Sequence, residues 1–397
     1  MNLNPSNAFN ILHERGFIKD CTHTAELKKA LEKPITFYLG VDPTADNLHI
    51  GHFFALQVFK ILQDHGHHGI LLIGNATAMI GDPSGKTDMR QMMTQETVDR
   101  NAHEIASILD RFIDTKSAKI VYNADWMKTE NFVSFVREVV MNFPVAEMLT
   151  HDCYKNRLGN GLTLGEMCYM TMQANDFVHL NEKHNCTLQI GGSDQWANIC
   201  AGVELGRKKA LANGKPRPTL IGMCNPLLVK ADGTKMGKTE KGVLWVSRGG
   251  TNAAYECYQH FINVFDQDVE RLLRFFTDIP TADIAKMCKD DIITAKRLMA
   301  ESVTKKIHGE GGLTRGNAPW ENIPTEKIKA QGQSLVDILA LTSIIQSKRE
   351  AREMITGGAI LIDNEKITDL NYMPTKSVFT VKKGKKTFLK IVLEKGE

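Results

Sequence analysis

Two hydrophobic rhythms alternate along the chain, and the changes between them mark its elements. "ITFYLGV" (35–41) is a short, nearly unbroken apolar run of strand length. "GHFFALQVFKILQDHG" (51–66) switches to helical spacing and ends at a glycine, and "GILLIGNATAMIGDP" (69–83) returns to a strand that runs into a loop. A strand, a helix and a strand at this spacing predict a right-handed parallel unit. The fold class expected is therefore α/β: a doubly wound, Rossmann-like parallel sheet with ligands at the carboxyl ends of its strands. "ENFVSFVREVVMNF" and "LTLGEMCYMTMQANDFVHL" predict a helical insertion over about 124–185, after which "TLQIGGSDQWANICAGVELGRKK" resumes strand, glycine turn and helix.

Later segments divide the chain further. The first domain is expected over 1–222, a glycine-punctuated loop and connector over 223–250, and a helical domain over 251–315. The polar stretch "GEGGLTRGNAPWENIPTEKIKAQGQS" reads as a linker, with 316–333 as its expected extent. Residues 334–397 then form a small α+β domain: two short helices in "SLVDILALTSIIQSKREAREMITGG", followed by strands in "AILIDNEKI" and "SVFTVKKGKKTFLKIVL".

Composition narrows the class. With 42% hydrophobic and 24% charged residues, the 397-residue chain matches folded proteins of two or three domains. No run is apolar for long enough to span a membrane, and the start lacks a secretory pattern, so the expected location is the cytoplasm. The eight cysteines include no CxxC pair, which argues against a zinc ribbon or disulfide framework; no structural metal is expected. The histidines of "DHGHHG" (His65, His67, His68) sit at a helix end, where capping or solvent exposure accounts for them. The net charge of +3 resides entirely in residues 334–397, which hold 11 Lys+Arg against 8 Asp+Glu. A basic terminal module on a neutral body suits a polyanion, although a solvated lysine-rich hairpin has the same composition.

Three constellations carry chemistry. His49 and His52 stand three apart where a turn enters a helix, so they share the face toward which the free N–H groups of a helix start attract anions. Gly51 between them lets a nucleotide approach the backbone, while a pair of capping histidines is the ordinary alternative. "KADGTKMGKTE" sets Lys235, Lys238 and Thr239 in a loop suited to gripping a polyphosphate. "YMTMQANDF" spaces Tyr169, Gln173 and Asp176 along one face of an otherwise apolar helix, each needing a partner if buried. "GDPSGKT" lacks the spacing of a phosphate-binding P-loop.

On the motifs "FYLGVDPTADNLHIGH", "IGDPSGKTDMR", "LQIGGSDQWANI" and "PLLVKADGTKMGKT", the chain resembles the class I aminoacyl-tRNA synthetases and, over essentially its whole length, their bacterial-type tyrosyl branch. The signatures HIGH and KMSKS correspond to 49–52 and, as KMGKT, to 235–239. The resemblance implies activation of L-tyrosine by ATP with Mg²⁺ and transfer to tRNA-Tyr, in a homodimer. It implies that Tyr38 and Asp176 receive the tyrosine hydroxyl, that Asp82, Tyr169 and Gln173 receive its ammonium, and that Gln195 lies on the carboxyl side. Thr44, His49, His52, Lys86, Arg90, Lys235, Lys238 and Thr239 would stabilise the transferring phosphates. Gly40, Asp42, Gly51, Gly191, Gly192 and Asp194 would hold the nucleotide. It also implies an anticodon-arm role for 251–315 and a ribosomal-protein-like RNA-binding fold for 334–397, with Lys348, Arg349 and Arg352 facing tRNA. Asn175 and Leu39 depart from residues common in that branch. A tryptophan-specific sister enzyme and a non-catalytic RNA-binding paralogue are the competing readings.

Overall fold

The structure is a computed structural model. It describes residues 8–84, 93–214, 216, 218–234, 236, 238–239, 242–246, 253–317, 324–330, 332–363, 365–384 and 387–394, with the backbone alone at 238, 239, 242, 311 and 313–317. The chain divides into two compact units, one of residues 1–247 and 265–290, the other of 248–264 and 291–397. The helices read over 251–315 are thus shared between units. Asp266–Phe276 and Thr281–Asp290 belong to the first, Ala253–Ile262 and Ile292–Asn317 to the second.

The first unit is built on a six-stranded sheet of β1 (Asp20–Cys21), β2 (Thr36–Val41), β3 (His68–Ile73), β4 (Lys119–Tyr122), β5 (Cys186–Gly192) and β6 (Ile221–Asn225), in the order β1-β6-β5-β2-β3-β4. All neighbours are parallel except β1, which runs against β6. From β2 the chain passes to β3 on one side, while β5 lies on the other; the order reverses there, and the crevice at these carboxyl ends is where such sheets bind ligands. The expected doubly wound sheet is present, with β1, β4 and β6 added to the strands read from the sequence.

The Ile50–Asp64 helix buries Phe53, Phe54, Leu56, Phe59 and Leu62, and Phe59 meets Phe37 of β2 at 4.8 Å between ring centroids. Gly69 on β3 makes room for it, because a Cβ there would stand 2.2 Å from the Phe59 ring. On the same helix Phe54 meets Phe275 at 4.6 Å between centroids, and the Arg15 guanidinium donates to the carbonyls of Arg274, Thr277 and Ile279. These contacts bind Asp266–Phe276 into the first unit despite its late position in the chain. Between β4 and β5 the expected insertion forms five α-helices and one 3-10 turn, ending with the long Leu164–His184. Thr163 and Glu166 close a capping box at its start, and the buried Arg157 guanidinium grips Glu166 at 2.7 Å. After β6, β7 (Lys238–Thr239) and β8 (Gly242–Val243) form a short antiparallel ribbon.

The second unit contains a five-stranded sheet of β9 (Thr325–Lys329), β10 (Ile360–Ile362), β11 (Glu365–Lys366), β12 (Val378–Lys383) and β13 (Thr387–Glu394), ordered β11-β10-β12-β13-β9. The helices Leu335–Ala340 and Lys348–Thr356, capped by Ser334 and Ser347, bury Leu335, Ile338, Leu339, Ala351 and Ile355 against Phe379, Val381, Leu389 and Ile391. One correction concerns the polar stretch read as a linker. Ile292–Asn317 runs into it past a break at Gly309 (φ 74°), and β9 lies within it, pairing parallel with β13. β9 buries only Ile328 of its five residues, too weak an alternation to register as a strand.

Candidate active site

The first signature makes its own geometry. His49 is the N-cap of the Ile50–Asp64 helix, and the His52 N–H donates to its Nδ1 at 3.2 Å; reciprocally, the His49 N–H donates to His52 Nδ1 at 3.2 Å. This is a capping box in which imidazoles replace the usual hydroxyl and carboxylate. Folding both rings over the first turn stacks them 3.7 Å apart at an interplanar angle of 6°. Gly51 permits this, since a Cβ there would lie 2.9 Å from His49 Cε1; its first effect is to make room for the ring. A nitrogen that accepts an N–H bond carries no proton, so each neutral ring bears its hydrogen on Nε2. Burial and the neighbouring His49 push the His52 pKa well down, in keeping with that form.

The segment after the second signature runs beside the first. Ile50 N–H donates to the Leu244 carbonyl at 3.1 Å and Val246 N–H to that of Leu48 at 2.8 Å, with Trp245 opposite His49 in an antiparallel bridge. One helix-start amide thereby finds its partner on the strand leading away from β8. Lys86, Arg90 and Lys235 lie outside the described residues, and of Lys238 and Thr239 only the backbone in β7 is described.

The carboxyl ends of β2 and β5 open into a cavity of about 430 Å³. Tyr38, Gly40, Asp42 and Thr44 line it from β2 and the turn after it; His49, Gly51 and His52 come from the first signature, and Asp82 from the loop beyond β3. Tyr169, Gln173 and Asp176 project from the long helix, and Gly191, Gly192, Asp194 and Gln195 from the end of β5. The i, i+4, i+7 stripe thus faces one pocket. Leu39 lines it as well, whereas the buried Asn175 is not among its lining residues.

Three carboxylates organise the interior. Asp176, 2% exposed, accepts Trp126 Nε1 at 2.9 Å and Asn123 Nδ2 at 3.1 Å. Burial raises its pKa to about 8, against the opposing pull of those two donors, and the Asp42 charge adds to the rise. Tyr38, 1% exposed, has its pKa driven well up by burial and then by Asp176; its hydroxyl has no partner among the described residues. Asp42 accepts the Tyr169 hydroxyl at 2.9 Å and the Thr77 hydroxyl at 2.8 Å, which links the expected amino-acid and nucleotide sets directly. Asp82 accepts the Ser84 N–H at 2.8 Å and Gln195 Nε2 at 2.6 Å, and Asn198 orients Gln195 by donating to its Oε1 at 3.1 Å.

Asn123 and Trp126 escaped the sequence reading, for they sit in the short segment after β4; Asn123 also donates to the Thr77 hydroxyl at 3.0 Å and accepts the Ala76 N–H at 2.8 Å. Gln189 also lines the cavity, and its buried Oε1 has no partner among the described residues. Its signal was legible, a lone amide within the apolar run of a central strand. Of the "DHGHHG" histidines, His65 is the C-cap with its ring on the Ile61 carbonyl, the buried His67 accepts the Ile35 N–H at Nδ1, and the exposed His68 opens β3.

Comparison with known proteins places this architecture. Residues 29–318 match the profile of the tRNA synthetases class I (W and Y), and residues 317–391 that of the tyrosine–tRNA ligase SYY-like C-terminal domain. A tyrosine–tRNA ligase of Clostridium botulinum (strain Loch Maree / Type A3) is 42% identical, across 98% of this chain and 100% of its own. Among solved structures, a C-terminally truncated mitochondrial tyrosyl-tRNA synthetase of Aspergillus nidulans covers 78% of this chain and 92% of its own, with TM-score 0.67 and 26% identity. The corresponding Coccidioides posadasii enzyme covers 78% and 90%, with TM-score 0.66 and 28% identity.

Proposed function

The chain belongs to the class I tRNA synthetases, in their tyrosine–tRNA ligase branch, and from that premise we propose how its own residues carry the reaction. A tyrosine–tRNA ligase activates L-tyrosine with ATP, releasing pyrophosphate, and transfers the tyrosyl group to the 3′ end of tRNA-Tyr. The observation that carries the residue assignment is one cavity lined by both Tyr38–Asp176 and His49–His52. A phenol hydroxyl would donate to Asp176 and meet Tyr38, while a phenylalanine ring would leave the buried Tyr38 hydroxyl unpaired. Asp82, Tyr169 and Gln173 would hold the ammonium, with Gln195 toward the carboxylate.

ATP enters as its Mg²⁺ complex, the ion riding on the phosphates. Asp42, Gly40, Gly51, Gly191, Gly192 and Asp194 would hold the nucleoside. The tyrosine carboxylate attacks the α-phosphorus, a P–O bond forms, and the bond to pyrophosphate breaks with the electron pair leaving on the departing oxygen. A carboxylate needs no base to activate it, so acceleration rests on positioning and charge. His49 and His52 would supply two neutral Nε2–H donors to the phosphate oxygens, with Thr44 beside them. Lys86, Arg90, Lys235, Lys238 and Thr239 would supply charge from the opposite side, a role that rests on the signatures alone.

The homodimer is part of this reading. Phe132, Met141 and Leu164 are 78%, 76% and 74% exposed, and Val133, Val145 and Leu158 are also exposed, all within the helical insertion. So many large apolar side chains in one segment fit a surface covered by a second copy. Among the described residues no helix is long and apolar enough to cross a membrane, and we place the enzyme in the cytoplasm.

Pyrophosphate exchange measured with each amino acid tests the assignment. Tyrosine alone should drive it, and His49→Ala or Lys238→Ala should slow it by orders of magnitude with little change in tyrosine affinity. Exchange driven by tryptophan, or undiminished in both variants, would overturn it.

A further inference from the structure

The Asp266–Phe276 helix comes late in the chain, yet its two ends meet the segments that carry both signatures. Asp268 and Arg271 stand one turn apart near its start and pair at 2.7 Å. Asp268 is almost wholly buried, and its other carboxylate oxygen accepts the Ala231 N–H at 2.9 Å. The Arg271 guanidinium also donates to the Val229 carbonyl. The stretch gripped in this way is tightly folded. Lys230 N–H donates to the Thr234 carbonyl at 2.7 Å, Gly233 N–H to the Lys230 carbonyl at 2.9 Å, and Met236 N–H to the Leu228 carbonyl at 2.8 Å. Leu228 lines the cavity and the buried Met236 belongs to the KMGKT signature, so the clamp holds the stretch that leads from the cavity wall into that signature.

The far end of the same helix rests on the helix of the first signature. Phe276 stacks on Phe53 at 5.6 Å with an interplanar angle of 8°, and Phe275 meets Phe54 at 4.6 Å. Phe53 directly follows His52. At a rise of 1.5 Å per residue, Asp268 and Phe275 lie about 10 Å apart along the helix axis, and two hydrogen-bonded turns keep that length constant. Stability alone is a poor reason for the buried charge. An apolar pair would dock the loop without desolvating a carboxylate, whereas the ion pair fixes the direction of one N–H and one carbonyl in the gripped stretch.

We propose that this helix is a bracket that sets the second signature against the first, and that Asp268 and Arg271 are positioning residues for the attack on ATP. The proposal rests on the ligase reading above and adds two residues that stand outside the cavity lining and act through the loop. Loosening the clamp would shift the signature lysines from the departing phosphates, and a displacement of about 1 Å costs up to about 100-fold in rate. The tyrosine pocket would keep its shape. The test is single-turnover formation of tyrosyl-adenylate by the full chain at saturating ATP, with tyrosine affinity measured by equilibrium dialysis on the same preparations. Arg271→Met should lower the rate constant about tenfold or more and leave tyrosine affinity unchanged. A first-order rate constant reports only the molecules that bind and react, so a smaller folded fraction does not mimic this result. Arg274→Met breaks the neighbouring ion pair with Glu270 on the same helix and should react like the wild type. A wild-type rate in Arg271→Met, an equal fall in Arg274→Met, or tyrosine affinity lost in step with the rate would overturn the proposal. A wild-type chain that forms no adenylate from tyrosine would instead count against the ligase reading, because the bracket predicts only differences between variants.

Discussion

Replacing Asp176 by asparagine isolates the cost of one buried charge. Its pKa of about 8, against an ordinary 3.8, means that the folded chain keeps a proton which the unfolded chain has released between those values. The folded state then binds more protons than the unfolded state, so stability falls as pH rises through the window and is recovered below it. One group contributes a slope of about 1.4 kcal/mol per pH unit, or about 6 kcal/mol across the whole interval. Asparagine does not titrate. Its NH₂ would confront one of the donors, Trp126 or Asn123, which imposes a cost of about 1–3 kcal/mol that is the same at every pH. Urea unfolding of both proteins from pH 5 to pH 8, followed by tryptophan fluorescence, separates the two effects. The stability of the wild type relative to Asp176→Asn should fall by about 1.4 kcal/mol per unit, whatever the offset. The variant should also lose about 10–100-fold in kcat/KM for tyrosine, because an amide NH₂ in place of an acceptor oxygen leaves a buried polar group unpaired at about 1–3 kcal/mol. Parallel stability curves would show that burial does not hold the proton on this carboxyl, and the electrostatic account of the pocket would fail.

Other expectations are more direct. Gly51→Ala should lower kcat for adenylate formation at least tenfold with tyrosine KM unchanged, because the new methyl displaces the His49 ring; stopped-flow adenylate formation checks it, and an unchanged kcat would refute the role given to glycine. Leu164→Asp should shift the protein toward monomers in sedimentation velocity, since the charge would enter the apolar surface assigned to the second copy; an unaltered distribution would exclude that surface. Deleting residues 334–397 should spare pyrophosphate exchange and cripple tRNA charging, and equal loss of both would contradict the separation of tasks.

Much of the site was legible because its residues lie on strongly patterned elements. Tyr38 sits in an apolar strand, and Tyr169, Gln173 and Asp176 repeat on one face of a helix long enough to show its period. Asn123 lies between a four-residue strand and a four-residue helix and Trp126 within that helix, elements too short for periodicity to speak. Their importance arises only when β4 joins the sheet beside β3 and brings their donors to Asp176. β9 was hidden for a related reason, since its partner is a strand some sixty residues later and its own pattern carries a single apolar position.

The histidine pair shows why a residue pattern can leave two explanations standing that the fold makes one. From spacing alone, His49 and His52 could cap a helix or attend a phosphate. In the folded chain each Nδ1 is occupied by a backbone N–H, so the cap itself chooses the tautomer. With the proton confined to Nε2, both rings are donors and neither needs to be charged, which suits two imidazoles stacked 3.7 Å apart. A substitution that kept the cap but lacked a donor at the Nε2 position would preserve the helix and lose the chemistry. Capping is therefore the means by which the backbone aims these side chains at their substrate.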